Sequence, residues 1–150
     1  MRTAVITIAH GRHDHLARQV RELDRQTTAP DQYVVIAMDD PAVRDVVAPS
    51  MLRPRIAEVA TTPLGLPLAA ARNLGARLAI ERGAELLFFL DADCMPVPGL
   101  VAAYAAAAAD PSERLLCGPV AYLPQDVDPD LPMERLADLA PPHPARPAPP

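Results

Sequence analysis

The stretch "LLFFLDADCMP", residues 86–96, decides the fold. Five apolar residues lead directly into Asp91 and Asp93, two carboxylates separated by one alanine. A short, continuously apolar run predicts a strand that is covered on both faces, as strands of parallel sheets are. In open parallel sheets, ligands bind just beyond the carboxyl ends of the strands. The two carboxylates therefore stand where a ligand is expected.

Strand and helix patterns alternate along the chain, and this order predicts an α/β fold. The apolar runs predict strands over residues 3–9, 32–38, 55–60 and 85–90, with a fifth extended stretch over 114–123. Helical spacing or helix-favouring composition predicts helices around Leu16, Val20 and Leu23, with Asp14 as N-cap, and over 42–47, 68–82 and 98–109. Such alternation favours a mostly parallel, Rossmann-like sheet flanked by helices.

The last part of the chain differs from the rest in composition. From residue 125 onward it is acidic and rich in proline, and its last ten residues contain six prolines. We therefore predict a folded domain over residues 1–124, followed by a tail or linker over 125–150.

Charge and composition exclude several classes of function. The net charge is -5 and no basic cluster is present, which argues against a nucleic-acid-binding surface. All 14 basic residues are arginine, so mechanisms that need a lysine are excluded. No apolar run approaches the roughly 20 residues of a transmembrane helix, and no signal peptide is recognisable. With only two cysteines, expected to be reduced, we predict a cytoplasmic protein, one that could work at the inner face of the membrane.

Acidic residues follow two of the predicted strands. Strand two ends at Asp39 and Asp40, and strand four at Asp91 and Asp93. In an extended segment, Asp91 and Asp93 would point the same way, an arrangement that suits Mg²⁺ or Mn²⁺. Such an ion can hold a diphosphate and neutralise it as it leaves. The alternatives are that Asp91 and Asp93 only shape a turn and that Asp40 only caps a helix.

Strand one ends at Ala9 and runs into "HGRHDH". We expect Ala9 and Gly11 to line the same edge, because glycine allows a ligand to approach the backbone closely. Zinc binding by His10, His13 and His15 is an alternative, but no other His or Cys has matching spacing. Arg72, on the helix before strand four, could pair with a phosphate or stack on a base, unless it only faces solvent.

Three rival functions lack their motifs. The chain has neither the GxGxxG turn of dinucleotide-binding folds nor the GxxxxGK[ST] loop of P-loop proteins. "FFLDADC" shares its strand-DxD pattern with aspartyl-phosphate phosphatases of the haloacid dehalogenase type. Those enzymes carry the motif on the first strand and use a lysine, whereas here it follows strand four and lysine is absent.

Four segments, in this order, resemble family 2 glycosyltransferases of the GT-A fold. The segments are "VITIAHGRHDHLARQVREL", "YVVIAMDD", "AAARNLGARLA" and "LLFFLDADCMPVPGLV". The resemblance covers about residues 3 to 120 and points most closely to galactosyltransferase-like members. It implies an enzyme that transfers a sugar from a nucleotide-sugar donor with the help of Mg²⁺ or Mn²⁺ at the DXD motif.

The resemblance also implies roles for individual residues. Asp39 would contact the base, Arg72 the base or phosphate, and Asp91 the ribose or sugar. Asp93, together with Asp91, would ligate the metal, and "GPVAYLP" would lead toward the acceptor, whose chemistry (glycan, lipid or small molecule) is unknown. Ala9 and Gly11 complete the predicted donor site.

The chain departs from the family at the catalytic base. An inverting transfer needs a base to deprotonate the acceptor hydroxyl, and the family supplies it from an acidic motif, typically Glu-Asp, after the DXD. No Glu-Asp pair follows Asp93, and the later acids (Asp126, Asp128, Asp130, Glu134 and Asp138) give no reason to choose one. We therefore expect the acceptor and base part to be missing. The alternative function is a truncated, inactive module that binds nucleoside diphosphates.

Overall fold

The structure, a computed structural model, describes residues 1–110, 115–124, 126–128 and 131–141. It divides into two units, Met1–Ala109 and Asp110–Pro150. The first unit contains, in chain order, β1 (Thr3–Ala9), α1 (His13–Asp24), β2 (Gln32–Met38), α2 (Val43–Val47), β3 (Arg55–Val59), α3 (Leu68–Ile80), β4 (Leu86–Phe89) and α4 (Leu100–Ala107).

The four strands form one sheet in the order β3-β2-β1-β4, and all three pairs are parallel. The register places Ala4 beside both Gln32 of β2 and Leu87 of β4. The carboxyl end of β1 therefore lies between those of β2 and β4, the two strands that precede the acidic residues. The predicted α/β fold with a parallel sheet is confirmed.

Two apolar clusters cover the faces of the sheet. Alternate residues of β1 and β2, such as Val5 and Val35, pack with apolar residues of α1, α2 and α4. Their neighbours, such as Ile6 and Ile36, pack with α3 on the other face. Because both faces are covered, β1 is buried along its whole length, as its continuous apolar sequence predicts.

The predicted elements agree with the structure except at their ends. The bounds of β1 and β2 are as predicted, whereas β3, β4, α2, α3 and α4 are shorter by one or more residues at an end. The largest difference lies in α4, which spans Leu100–Ala107 rather than residues 98–109. Gly83 follows α3 with a left-handed φ of 81°, which confirms that the helix ends before this glycine, as expected.

The predicted N-cap of α1 is wrong. Asp14 lies in the first turn of the helix, where the positive end of the helix dipole stabilises a carboxylate. The N-cap position is taken by Arg12, which has a left-handed φ of 50° and no side-chain cap hydrogen bond. The helix therefore begins two residues earlier than the capping pattern suggests.

The second unit is described only in part. The extended stretch predicted over 114–123 forms no strand in its described residues, 115–123. Pro119 disfavours a strand here because it has no backbone N–H to donate to a neighbouring strand. A helix, α5 (Met133–Leu139), lies in the segment that we predicted to be a tail or linker. Residues 111–114, 125, 129–130 and 142–150, with Asp130 and the proline-rich end, lie outside the described residues.

All helices of the described segments are short. The longest, α3, has 13 residues, and at 1.5 Å per residue it is about 20 Å long. The hydrocarbon core of a bilayer is about 30 Å thick. Nowhere in the described ranges is a helix both long and apolar enough to cross it.

Replacing Gly75 with alanine tests the contact of α3 with the sheet. A β-carbon at Gly75 would lie 2.5 Å from Ile6 Cγ2 and 3.4 Å from Ile36 Cγ1, both in the core. We expect Gly75→Ala to lower the free energy of unfolding by about 1–3 kcal/mol, despite alanine's better helix propensity. Gly99→Ala is the control, because nothing lies within 4 Å of its added carbon. Urea unfolding followed by circular dichroism measures both, and equal stability of the two variants would contradict this packing.

Candidate donor site at the carboxyl edge of the sheet

The loop between β1 and α1, residues 10–12, and the first residue of α1 are hydrogen-bonded to the end of β2 and to Asp40. His10 Nδ1 lies 2.7 Å from the backbone oxygen of Met38. The Gly11 amide donates to Asp40 Oδ2 at 2.7 Å, and His13 Nε2 lies 2.8 Å from the same oxygen. One carboxylate therefore holds the residues on both sides of Arg12.

The same loop reaches the end of β4 through Arg12. Its guanidinium forms an ion pair with the Asp93 carboxylate, and both side chains are substantially exposed. The loop thus contacts both acidic strand ends, Asp40 on one side and Asp93 on the other. The convergence expected from the parallel sheet is present for these groups.

A second arginine pairs with the other carboxylate of the DXD motif. Arg72 Nη2, on α3, lies 2.7 Å from Asp91 Oδ1. This contact brings Arg72 to the edge at which the sequence analysis expected it. Each carboxylate of the motif therefore has its own guanidinium partner.

The Asp91-Ala92-Asp93 segment is a turn rather than an extended segment. The Cys94 amide donates to the Asp91 carbonyl at 2.9 Å and closes the turn. The extended segment in which both side chains would point the same way is therefore not formed, and the alternative of a turn describes this backbone. Because the segment turns, Asp91 and Asp93 face different elements, α3 and the β1–α1 loop.

Asp39 ends β2 in a left-handed conformation, with φ 52°. Its amide donates to the Val59 carbonyl at 3.0 Å, and its Oδ2 accepts a hydrogen bond from Thr61 Oγ1 at 2.8 Å. Its carboxylate is exposed to solvent and held in place. The sequence analysis missed Thr61, which no strand or helix pattern marks.

Ala9 and Gly11 occupy different environments. The Ala9 side chain is buried in the core face shared with α1, so it does not line an exposed surface. Gly11 has a φ of 60° and no atom within 4 Å of an added β-carbon. Space beside the backbone is therefore available at Gly11, as the prediction requires.

Gln19 was missed by the sequence analysis, yet it holds the turn of the DXD motif. The side chain of this α1 residue is fully buried. Its Oε1 accepts hydrogen bonds from Thr7 at 2.7 Å and from Tyr33 at 3.2 Å. Its Nε2 donates to the carbonyls of Asp91 and Cys94, at 2.6 and 3.0 Å. Its position three residues after Leu16, on the apolar face of α1, was the available signal.

The pKa of Asp40 reflects two opposing effects. Burial alone would raise it, but hydrogen bonds from His13 and from the Gly11 amide outweigh burial and lower the pKa below its usual value. The carboxylate is therefore ionised throughout the neutral range. Its contribution to stability is fully present above the ordinary pKa of an aspartate and is lost as the pH falls through the lowered value.

The candidate ligands for a divalent cation at this edge are the carboxylates of Asp91 and Asp93, which face different elements. Within the described ranges, no three His, Cys, Asp or Glu side chains gather as a metal site. The oxygen atoms of Asp91 and Asp93 are the kind of ligand that Mg²⁺ or Mn²⁺ prefers, and protein sites often bind these ions through one or two carboxylates plus phosphate and water. His10 and His13 bond separately to Met38 and Asp40, an arrangement that does not favour zinc.

The family model for "Glycosyl transferase family 2" matches residues 4–147. Two curated proteins called validoxylamine A glucosyltransferase are 40% and 39% identical to this chain over 112 residues. They come from Streptomyces hygroscopicus subsp. limoneus and subsp. jinggangensis (strain 5008). The alignments cover 73% of this chain but 24% and 26% of the relatives. The chain therefore spans about a quarter of the length of these relatives.

A solved structure shares the fold. The crystal structure of S. aureus TarS 1-349 in complex with UDP superposes with a TM-score of 0.60 at 19% sequence identity. The superposition covers 71% of this chain and 31% of TarS. Together with the parallel sheet, the likeness confirms the GT-A fold.

Replacing Gln19 with leucine tests its role in holding the motif. Gln19→Leu leaves Thr7, Tyr33 and two carbonyls without their partner, and we expect the free energy of unfolding to fall by about 3 kcal/mol. The same substitution at the half-buried Gln26, which bonds to Val97 and Val101, is the control and should cost about 1 kcal/mol. Chemical denaturation of both variants gives the difference. A Gln19 variant no less stable than the Gln26 variant would contradict this role.

The pH dependence of Cys94 alkylation tests whether the negative charge of the DXD motif raises the pKa of this thiol. Burial raises the pKa of this thiol, and the charges of Asp93 and Asp91 raise it further. We expect Asp93→Asn to move the pH midpoint of iodoacetamide alkylation downward, because a thiolate forms more readily beside a neutral group. The variant is compared with its parent in a Cys117→Ser background, by mass spectrometry across pH. An unchanged or higher midpoint would show that Asp93 does not influence this thiol.

Proposed function

This chain belongs to glycosyl transferase family 2, and we propose on that premise that it binds the donor in an enzyme that transfers a sugar from a nucleotide-sugar to an acceptor. We assign this role to residues 1–124. The relatives' names point to glucosyl transfer, whereas the sequence resemblance pointed to galactosyltransferase-like members. The identity of the sugar is left to experiment.

One observation carries the proposal: the β1–α1 loop contacts acidic groups after both β2 and β4. Carboxylates and guanidiniums thereby meet at the carboxyl edge of a parallel sheet, where open α/β folds bind ligands. A nucleoside diphosphate needs hydrogen-bond acceptors for its base and ribose and positive charge for its phosphates. The edge offers both kinds of group.

Each acidic residue has a proposed role. Asp39, held by Thr61, is proposed to accept a hydrogen bond from the base. Asp91 is proposed to contact the ribose or sugar, with Arg72 beside it for the base or a phosphate. Gly11 is proposed to let the donor approach the backbone. The fixed positions of Asp39 and Asp91 support these roles, since a preorganised site loses less entropy on binding.

We propose that Asp93, with Asp91, holds Mg²⁺ or Mn²⁺. When bound, such a cation would neutralise the diphosphate as the sugar leaves. The oxygen ligands of the DXD motif support the proposal, because hard cations prefer them. Arg12 and Arg72 would contribute further positive charge at the same edge.

The acceptor and the general base are not assigned. A base must deprotonate the acceptor hydroxyl as it attacks the anomeric carbon, and none of the described acids has a contact that selects it for this task. The segment "GPVAYLP" is proposed to lead toward the acceptor. We propose a cytoplasmic location, in keeping with the unpaired thiols of Cys94 and Cys117.

Titration with uridine diphosphate, with and without Mn²⁺, tests the proposal. We expect binding that is at least about tenfold tighter with Mn²⁺, since a charge-assisted contact contributes about 1.5–3 kcal/mol. Asp93→Ala should bring the ratio of the two affinities close to one. Isothermal titration calorimetry measures each value.

Asp45→Ala provides the control, because Asp45 is an exposed acid on α2. It should keep the metal dependence of the parent protein. Binding that is independent of Mn²⁺, or retained metal dependence in Asp93→Ala, would refute the metal role of the motif. Metal-dependent binding without sugar transfer from uridine diphosphate sugars would favour the alternative, a module that only binds the donor.

A further inference from the structure

We propose that Arg12 exchanges partners during donor binding, an inference that rests on the proposed function. Without a cation, Arg12 neutralises Asp93. When a divalent cation takes Asp93, the guanidinium is released and binds the diphosphate that arrives with the cation. Arg12 would then be a donor-binding residue, and Asp40 the residue that positions it.

The backbone of Arg12 is held while its side chain stays free to move. Asp40 binds Gly11 and His13, the neighbours of Arg12 on both sides, at 2.7 and 2.8 Å. The side chain of Arg12 is 62% exposed, so its guanidinium can turn without disturbing the core. A held backbone and an exposed guanidinium would let this side chain bind one partner after another.

The ion pair is weak enough to be replaced. Asp93 is 40% exposed, and exposed pairs typically contribute about 0.2–1 kcal/mol because solvent screens them. Asp93 Oδ1 is also within 3.9 Å of the Cys94 thiol, a neutral group that does not compete with a cation. A divalent cation would therefore meet little resistance in taking the carboxylate.

Charge balance favours the exchange. Asp91 and Asp93 carry two negative charges, and Arg72 and Arg12 balance them in the structure. A divalent cation adds two positive charges at the same edge. A diphosphate offsets this excess, and the released Arg12, which lies at the same edge, can bind it.

Arg72 is less suited to the same exchange. It belongs to the middle of α3, a packed helix, and its side chain is less exposed than that of Arg12. Its partner Asp91 is tied through its carbonyl to Gln19 and Cys94. We therefore assign the exchange to Arg12, which belongs to the loop that Asp40 holds.

The variant Arg12→Gln tests the exchange because it should strengthen the binding of Mn²⁺ and weaken the binding of uridine diphosphate. Without nucleotide, Mn²⁺ should bind about two- to fivefold more tightly, since the competing guanidinium is gone. With Mn²⁺ saturating, uridine diphosphate should bind about tenfold more weakly, since the released cation is missing. Electron paramagnetic resonance of free Mn²⁺ and calorimetry with uridine diphosphate measure the two values on the 150-residue chain. A variant that merely folds poorly would weaken both.

Two further variants complete the test. Arg44→Gln, which breaks another exposed arginine–carboxylate pair, should leave both affinities unchanged. Arg12→Lys should recover part of the nucleotide affinity, because it restores the charge without the planar fork. If Arg12→Gln leaves both affinities unchanged or weakens both while the parent protein binds with Mn²⁺, the exchange is overturned and the proposed function stands. If the parent protein binds none of uridine, guanosine and thymidine diphosphate in the presence of Mn²⁺, both proposals fall.

Discussion

The buried amide of Gln19 is the interaction on which the site depends. All of its hydrogen bonds are made inside the protein, to the hydroxyls of Thr7 and Tyr33 and to two carbonyls of the turn after β4. Burial also raises the pKa of Tyr33, so this hydroxyl remains a donor. In a low-dielectric interior, such a satisfied network fixes one arrangement of its members. The turn that carries Asp91 and Asp93 is thus held in place by a buried residue of α1.

A parallel sheet places this turn beside the loop that follows β1. Since β1 lies between β2 and β4, one short loop can contact both acidic ends, and Asp40 and Asp93 are its acidic partners. The fold therefore brings Arg12 and Asp93 together although they are 81 positions apart in the sequence. The chemistry at the edge follows from strand order as much as from the identity of the acids.

Much of the fold could be predicted from the sequence, because buried strands and amphipathic helices leave strong periodic patterns. The bounds of β1 and β2 and the edge occupied by Asp39, Arg72 and Asp93 followed from those patterns and from the family resemblance. The pairing of each carboxylate with an arginine did not, because it depends on a turn whose geometry is set by distant bonds to Gln19. Thr61 and the left-handed Arg12 were likewise determined by tertiary contacts rather than by local propensity.

The two ion pairs of the site have guanidinium as their only cation, because the chain contains no lysine. A guanidinium keeps its proton at every pH at which a protein remains folded, whereas an ammonium group can lose its proton when desolvated. The positive charge of each pair therefore does not change with pH. A change in the charge of this edge with pH therefore comes from other groups, such as Asp40, whose carboxylate loses its charge only below the usual pKa of an aspartate.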